Sequence, residues 1–228
     1  MDIAGLQKLT LLDYPGKVAC TVFLPGCNLR CPFCHNASLV LPGRQSSSMT
    51  QEAFLEFLRG RKGKLDGVCV TGGEPTLHHD LPELLAAIKE MGFALKLDTN
   101  GTRPQVLRQL LDAGLVDYVA MDIKNSPQAY AVTCGDVDVL ELVQQSVRLL
   151  EESSIDHEFR TTVLHPYHTP QTLAAIGQWL QGTKQYFIQQ FVDSGDLIGQ
   201  GQPLTPDEMQ QLLQAVTPYI PSAALRGI

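Results

Sequence analysis

Cys27, Cys31 and Cys34 stand in the run Gly26-Cys27-Asn28-Leu29-Arg30-Cys31-Pro32-Phe33-Cys34-His35-Asn36. The spacing is C-x3-C-x2-C, which puts three soft ligands within eight residues. Three thiolates suit an iron–sulfur cluster with one iron left free of protein ligands, and an iron open in that way can do chemistry. A structural zinc site ordinarily takes four protein ligands, often as two cysteine pairs. Here there is one triplet, and His35 adjoins Cys34 too closely to complete a tetrahedron with ease. The other cysteines are Cys20, Cys69 and Cys134. Cys20 and Cys69 lie in strand-like runs, where a free thiol behaves as a small hydrophobe. Cys134 falls in a loop. A crowded triplet with no secretory signal before it makes a poor disulfide framework.

More polar residues gather where apolar runs stop. Thr71-Gly72-Gly73-Glu74-Pro75 ends one run: paired glycines let backbone approach a ligand, and the carboxylate can accept from an ammonium group. Alone it would be a turn. Leu97-Asp98-Thr99-Asn100-Gly101 ends the next, and Asn-Gly is a common turn pair. In Ala120-Met121-Asp122-Ile123-Lys124 the strand period puts Asp122 and Lys124 on one face, at the least as a salt-bridging pair. Arg160, in Glu158-Phe159-Arg160-Thr161-Thr162-Val163, carries paired donors suited to a carboxylate.

These residues need elements to position them. Strands are predicted over 17–24, 67–71, 94–98, 118–123, 158–163 and 186–191. Helices are predicted over 50–59, 81–91, 103–113, 140–151, 169–181 and 205–216, with Thr50 and Thr205 as starts. Six strand–helix units in alternation argue for a parallel α/β sheet with helices outside. In such folds chemistry collects at the carboxyl ends of the strands. The pattern alone does not separate a doubly wound sheet from a partial barrel. Residues 1–228 read as one domain. The run 41–48, which follows the triplet, is read as a mobile loop able to close over a site.

The cysteine triplet, with Phe33 as its aromatic, resembles the hallmark C-x3-C-x-aromatic-C of the radical S-adenosylmethionine (SAM) superfamily. The resemblance implies a partial (β/α)6 TIM-like barrel and a [4Fe-4S] cluster on Cys27, Cys31 and Cys34. It further implies that SAM chelates the unique iron. Gly73 and Glu74 match a Gly-Gly-Glu motif that contacts the SAM amino group. Asp98-Thr99-Asn100-Gly101 and Asp122-Ile123-Lys124 resemble motifs of glycyl-radical-enzyme activases, as does Cys34-His35-Asn36. In that comparison Asp98 and Asp122 would hold a monovalent cation beside the SAM carboxylate. Asp98 and Thr99 would point to the barrel mouth, Lys124 would join Asp122 among the cofactor-binding residues, Arg160 would lie near SAM, and His35 against adenine. The chain departs from pyruvate formate-lyase activase after the last strand, where Gln190 stands in a stretch without histidine.

The opening Gly5-Leu6-Gln7-Lys8-Leu9-Thr10-Leu11-Leu12-Asp13-Tyr14-Pro15-Gly16-Lys17 runs on into the first strand, and the whole stretch through Asn36 closely resembles activating proteins of anaerobic ribonucleoside-triphosphate reductase. The implied reaction is reductive cleavage of SAM to methionine and a 5′-deoxyadenosyl radical, which takes hydrogen from a glycine of a partner glycyl-radical enzyme. Flavodoxin or ferredoxin would supply the electron. The rivals are a radical SAM enzyme acting on a small molecule, as a deazapurine synthase does, and a non-catalytic metal protein.

Net charge is −7, unevenly spread. Residues 1–64 carry eight Lys/Arg against four Asp/Glu, and residues 65–228 carry nine against twenty. An acidic chain argues against general nucleic-acid binding. No run of about 18 apolar residues suggests a membrane span. The first twelve residues lack the pattern of a signal peptide, so the expected address is cytoplasmic.

Overall fold

The computed structural model describes residues 1–34, 36–41 and 49–227. Its strands are β1 Asp2–Ile3, β2 Gly5–Thr10, β3 Ala19–Leu24, β4 Met49–Thr50, β5 Gly67–Gly72, β6 Ala94–Thr99, β7 Tyr118–Asp122, β8 Asp156–Val163, β9 Tyr186–Gln190 and β10 Ala224–Arg226. Its helices are α1 Ala37–Val40, α2 Gln51–Arg59, α3 Leu81–Glu90, α4 Pro104–Asp112, α5 Tyr130–Thr133, α6 Leu140–Glu152, α7 Pro170–Trp179 and α8 Pro206–Val216. β1 and β4 form a small antiparallel pair. The rest form one sheet in the order β2-β3-β5-β6-β7-β8-β9-β10. From β3 to β10 every neighbour is parallel. β2 runs antiparallel at one edge. Among the described residues β2 and β10 do not pair with each other, so the barrel is partial.

All six predicted strands and all six predicted helices are present, with ends shifted by a few residues. β2 and β10 are additions. β2 lacks an apolar alternation because Gln7, Lys8 and Leu9 are exposed on an edge. β10 has only three residues. Residues 42–48, most of the stretch read as a mobile loop, lie outside the described residues.

The strand alternation divides the sheet into an apolar outer face and a polar inner one. Val68, Val70, Leu95, Leu97, Val119 and Met121 are fully buried on the outer face. They share one core with Leu84 and Leu85 of α3, Leu107 of α4 and Val143 of α6. Each such side chain contributes about 1.5–3 kcal/mol by leaving water. The intervening residues face inward: Cys69 is in register with Lys96, Lys96 with Tyr118, and Asp122 with Arg160. Local signals start the helices as expected. Thr50 Oγ1 accepts from Ala53 N–H at 3.3 Å, and Thr205 forms a reciprocal capping box with Glu208.

A buried ion pair ties β10 into the barrel. Glu158 is 1 % exposed and accepts from both terminal nitrogens of Arg226, at 2.8 and 3.0 Å. The Arg226 guanidinium also stacks over Phe187, 3.7 Å from the ring centroid. Removing one partner strands a buried charge, which is costly. Arg226→Ala should therefore lower urea-unfolding stability by about 1–3 kcal/mol, as expected when a buried acceptor loses its donors. A loss under about 0.5 kcal/mol would mean that β10 is held by its backbone alone.

Candidate active site

The loop that carries the three cysteines follows β3, and its described residues, 25–34 and Asn36, have little regular structure of their own. Nearly every loop that follows a parallel strand grips it. After β5, the Gly73 and Glu74 N–H groups donate to the Leu24 and Gly26 carbonyls at 2.9 and 2.7 Å. A Cβ on Gly73 would stand 1.8 Å from the Gly26 oxygen, so only glycine permits this contact. His78 donates from Nε2 to the Pro25 carbonyl at 2.8 Å. After β6, Asn100 Nδ2 donates to Asn28 Oδ1 at 3.0 Å, and Asn28 Nδ2 donates to Thr102 Oγ1 at 2.8 Å. After β7, the Cys134 carbonyl accepts from Arg30 N–H at 3.1 Å. After β8, the rings of Tyr167 and His168 lie 5.9 and 6.1 Å from that of Phe33. After β9, Gly199 N–H donates to the Pro32 carbonyl, while the Asp196 side chain accepts from Ser38 N–H in α1.

Cys27, Cys31 and Cys34 all line one cavity of about 1200 Å³ of empty space, part of it open to solvent. Gly72, Gly73, Asp98, Thr99, Asp122, Lys124, Arg160 and Phe33 line it too. The expected residues thus converge on one space, with two exceptions: His35 lies outside the described residues, and Glu74 is turned away.

Glu74 corrects the expectation that its carboxylate accepts from the SAM ammonium. It is fully buried and wholly used by protein donors. Oε1 accepts from Thr76 N–H, Thr76 Oγ1 and Thr99 Oγ1; Oε2 accepts from Asn100 N–H at 2.6 Å. Burial pushes its carboxyl up, against the four donors that favour the ionised form. The motif faces the cavity through Gly72 and Gly73.

The opposite wall is a chain of charges. Lys96 pairs with Asp98 Oδ1. Arg160 spans both carboxylates, with its NH2 3.0 Å from Asp98 Oδ2 and its Nε 2.5 Å from Asp122 Oδ1. Lys124 Nζ closes the chain 2.8 Å from Asp122 Oδ2. Every oxygen of the two carboxylates has a protein donor, and the Arg160 guanidinium bridges the pair to which the resemblance assigns a monovalent cation. Burial alone would raise both carboxyls, but Arg160 with Lys96 or Lys124 overcomes it and holds them below the ordinary range. Sequence reading missed Lys96, although the strand period places it two residues before Asp98 on the same face.

The three thiols differ in environment. Burial pushes Cys27 up to about 11 and also raises Cys34. Cys31 is instead held down at about 7, first by a hydrogen bond from Cys134. The Lys124 ammonium favours the thiolate at all three. Cys20 is buried in the core, as expected. Cys69 is buried in a more polar setting, 3.6 Å from Asp98 and 3.8 Å from Lys96. Among the described residues no three His, Cys, Asp or Glu side chains converge as a single metal ion requires. Three thiols around a shared open space fit a multi-iron cluster better than one tetrahedral zinc. Among the described residues no helix is long and apolar enough to cross a membrane.

Residues 21–180 match the radical SAM superfamily. A provisionally named glycyl-radical enzyme activating enzyme of Methanocaldococcus jannaschii is 31% identical over 236 residues, covering 99% of this chain and 96% of that one. The 7-carboxy-7-deazaguanine synthase of Thermococcus kodakarensis is 31% identical over 157 residues, covering 60% of each chain. The crystal structure of a radical SAM methyltransferase from Sphaerobacter thermophilus shares the fold. It superposes with a TM-score of 0.72 at 15% identity, covering 96% of this chain and 68% of that one. The chain belongs to the radical SAM superfamily, among its glycyl-radical-enzyme activating enzymes. Its cofactors are accordingly a [4Fe-4S] cluster and SAM.

Arg160→Met should cost about 2–4 kcal/mol in urea unfolding at pH 7, because the buried Asp98 and the half-buried Asp122 lose their shared partner. Arg160→Lys should recover little, since one ammonium cannot fork to both. The sign with pH is fixed. Depressed carboxylates stabilise the native chain above their ordinary value near 4, and that stability is lost as pH falls through the folded values. In Arg160→Met the facing like charges raise the pair, so protonation relieves the variant first. The gap to the parent should narrow between pH 7 and pH 5; a constant gap would mean that the carboxylates do not sense each other.

Glu74→Ala should also destabilise, by about 2–4 kcal/mol, by orphaning the buried donors Thr76 N–H and Asn100 N–H. Glu74→Gln, which keeps an acceptor oxygen, should recover part of this. Equal losses in the two variants would remove the acceptor role.

Proposed function

We propose that Cys27, Cys31 and Cys34 hold the [4Fe-4S] cluster and that the wall facing them holds SAM. The observation that carries this reading is the convergence of three thiols, a glycine pair and a net-positive charge chain on one cavity. Gly72 and Gly73 offer backbone to the SAM ammonium. Arg160 and Lys124 offer positive charge to its carboxylate, while Asp98 and Asp122 fix their directions. Thr99 joins this wall to the Glu74 anchor. Phe33, backed by Tyr167 and His168, stiffens the turn between Cys31 and Cys34. When bound, the cluster supplies one electron to break a carbon–sulfur bond of SAM, which furnishes a carbon radical for hydrogen abstraction. The chain's own part is to bind, orient and shield.

The substrate we assign is a glycine Cα of a partner glycyl-radical enzyme, specifically an anaerobic ribonucleoside-triphosphate reductase. The opening stretch from Gly5 through Asn36 supports the choice of reductase. The Methanocaldococcus jannaschii relative, 96% of which is covered, supports a glycyl-radical enzyme as the partner and no particular one. A protein substrate also suits a barrel whose edge strands β2 and β10 leave one side unpaired among the described residues. Flavodoxin or ferredoxin is the proposed electron donor. The cytoplasm is the proposed setting, since it keeps the six thiols reduced. The deazaguanine synthase likeness favours one rival, a small-molecule substrate.

The test is anaerobic. Reconstituted protein should hold about four irons per chain, and Cys27→Ala, Cys31→Ala and Cys34→Ala should each abolish loading. With dithionite, SAM and the host reductase, electron paramagnetic resonance should show a glycyl doublet on the partner. The doublet should vanish when the partner's radical glycine becomes alanine. Catalytic turnover of a small metabolite, with no doublet on any glycyl-radical enzyme of the host, would establish the rival.

A further inference from the structure

The cofactor site takes up the charged wall of the cavity and leaves another part of its lining unassigned. Gln7, Thr162 and Gln189 line that space as well. Gln7 is exposed and stands on β2, an edge strand. Thr162 and Gln189 are half-buried and sit side by side in register on β8 and β9. Gln189 is in register in turn with Arg226 of β10, the other edge. The cavity thus reaches the break in the barrel from both flanks. The neighbouring Gln190 does not line it, and its Nε2 donates to the Leu204 carbonyl at 2.8 Å.

The polar groups of this lining are unspent. Among the described residues the side chains of Thr162 and Gln189 have no hydrogen-bond partner. Gln7 Nε2 donates to the Leu9 carbonyl at 3.2 Å, which leaves its oxygen to accept. β2 and β10 each pair with a single neighbour, so each also presents one unpaired backbone edge. A glutamine amide offers two donors and an acceptor, and a threonine hydroxyl both donates and accepts. Those groups complement a peptide unit, and unlike the wall assigned to SAM they carry no charge. A glycine has no side chain to read, so the peptide groups on either side of it are what a protein can hold. Unpaired sheet edges favour the same ligand, an extended segment.

We infer that Gln7, Thr162 and Gln189 form a main-chain recognition site at the break between β2 and β10. It holds, in extended form, the substrate segment that carries the target glycine. This rests on the substrate being a glycyl-radical enzyme, which the doublet formed by the parent chain tests by itself.

The experiment measures the initial rate of doublet formation against the concentration of the host reductase, with reconstituted protein, dithionite and saturating SAM. Gln7→Ala, Thr162→Val and Gln189→Ala should each raise the KM for the reductase about three- to tenfold, as loss of one neutral hydrogen bond implies. The rate at saturating reductase should change less than KM does. The KM for SAM should stay at the parent's value. Alanine in place of the side chains that flank the target glycine on the reductase should leave its KM near that of the unaltered reductase. A parent chain that gives no doublet sinks the substrate reading and this inference with it. A parent that gives the doublet while the three variants keep its KM for the reductase sinks the inference alone. A raised KM for SAM would place these residues in the cofactor site, and loss of iron would make them structural; either overturns the inference. So does a penalty for the flanking alanines as large as that of Gln189→Ala, because recognition would then read side chains.

Discussion

The site depends on one buried carboxylate. Glu74 accepts from Thr76, Thr99 and Asn100 while its own N–H holds the Gly26 carbonyl. It thereby joins the loops after β5 and β6 to the start of the cluster loop. An isolated carboxylate in this setting would cost several kcal/mol, and the four donors are what make it tolerable. The arrangement then passes outward. Asn100, fixed through its backbone, uses its side chain on Asn28 and the Cys27 sulfur. A carboxyl group with no access to the cavity thus helps to set where the Cys27 sulfur stands.

The facing wall solves a different problem. Lys96, Asp98, Arg160, Asp122 and Lys124 alternate in sign and leave one surplus positive charge. Each carboxylate lies between two cations, so neither guanidinium nor ammonium can turn freely. This is preorganisation by charge, and it holds only while the groups stay paired in a medium poorer in water than the surface. Lys96 and Asp98 are buried and the other three half-buried, and the cost of drawing these ions from water is met by their mutual attraction. That explains why truncating Arg160, which alone touches both carboxylates, is expected to do more harm than removing an ion pair at the surface.

Much of this was legible in the sequence because it was local. The triplet spacing, the two-residue alternation of Asp122 with Lys124 and the helix caps at Thr50 and Thr205 each need only neighbours along the chain. What was illegible depended on distance in sequence. The hydrogen bond from Arg30 N–H to the Cys134 carbonyl joins segments about a hundred residues apart, and neither run hints at the other. Glu74 was misread for a related reason. A carboxylate after two glycines looks free, and only the fold brings Thr99 and Asn100 to it. β2 and β10 escaped because edge strands and three-residue strands carry too little apolar alternation to register.

The loop that carries the cysteines has almost no hydrogen-bonding pattern of its own, and that follows from its task. A helix or strand would fix thiol spacing at multiples of its own repeat. An irregular loop can take any spacing, but must borrow rigidity from elsewhere. Here it borrows from successive strand ends, from His78 through Asn100 and Cys134 to Asp196 and Gly199. A parallel sheet places all those ends on one side, which is the geometric reason the triplet sits after the first parallel strand, β3. Each later loop then reaches back to it. Loss of one contact leaves the others in place, so single substitutions at these gripping residues should trade loop order by degrees, whereas Gly73, where backbone meets backbone, leaves no room for compromise.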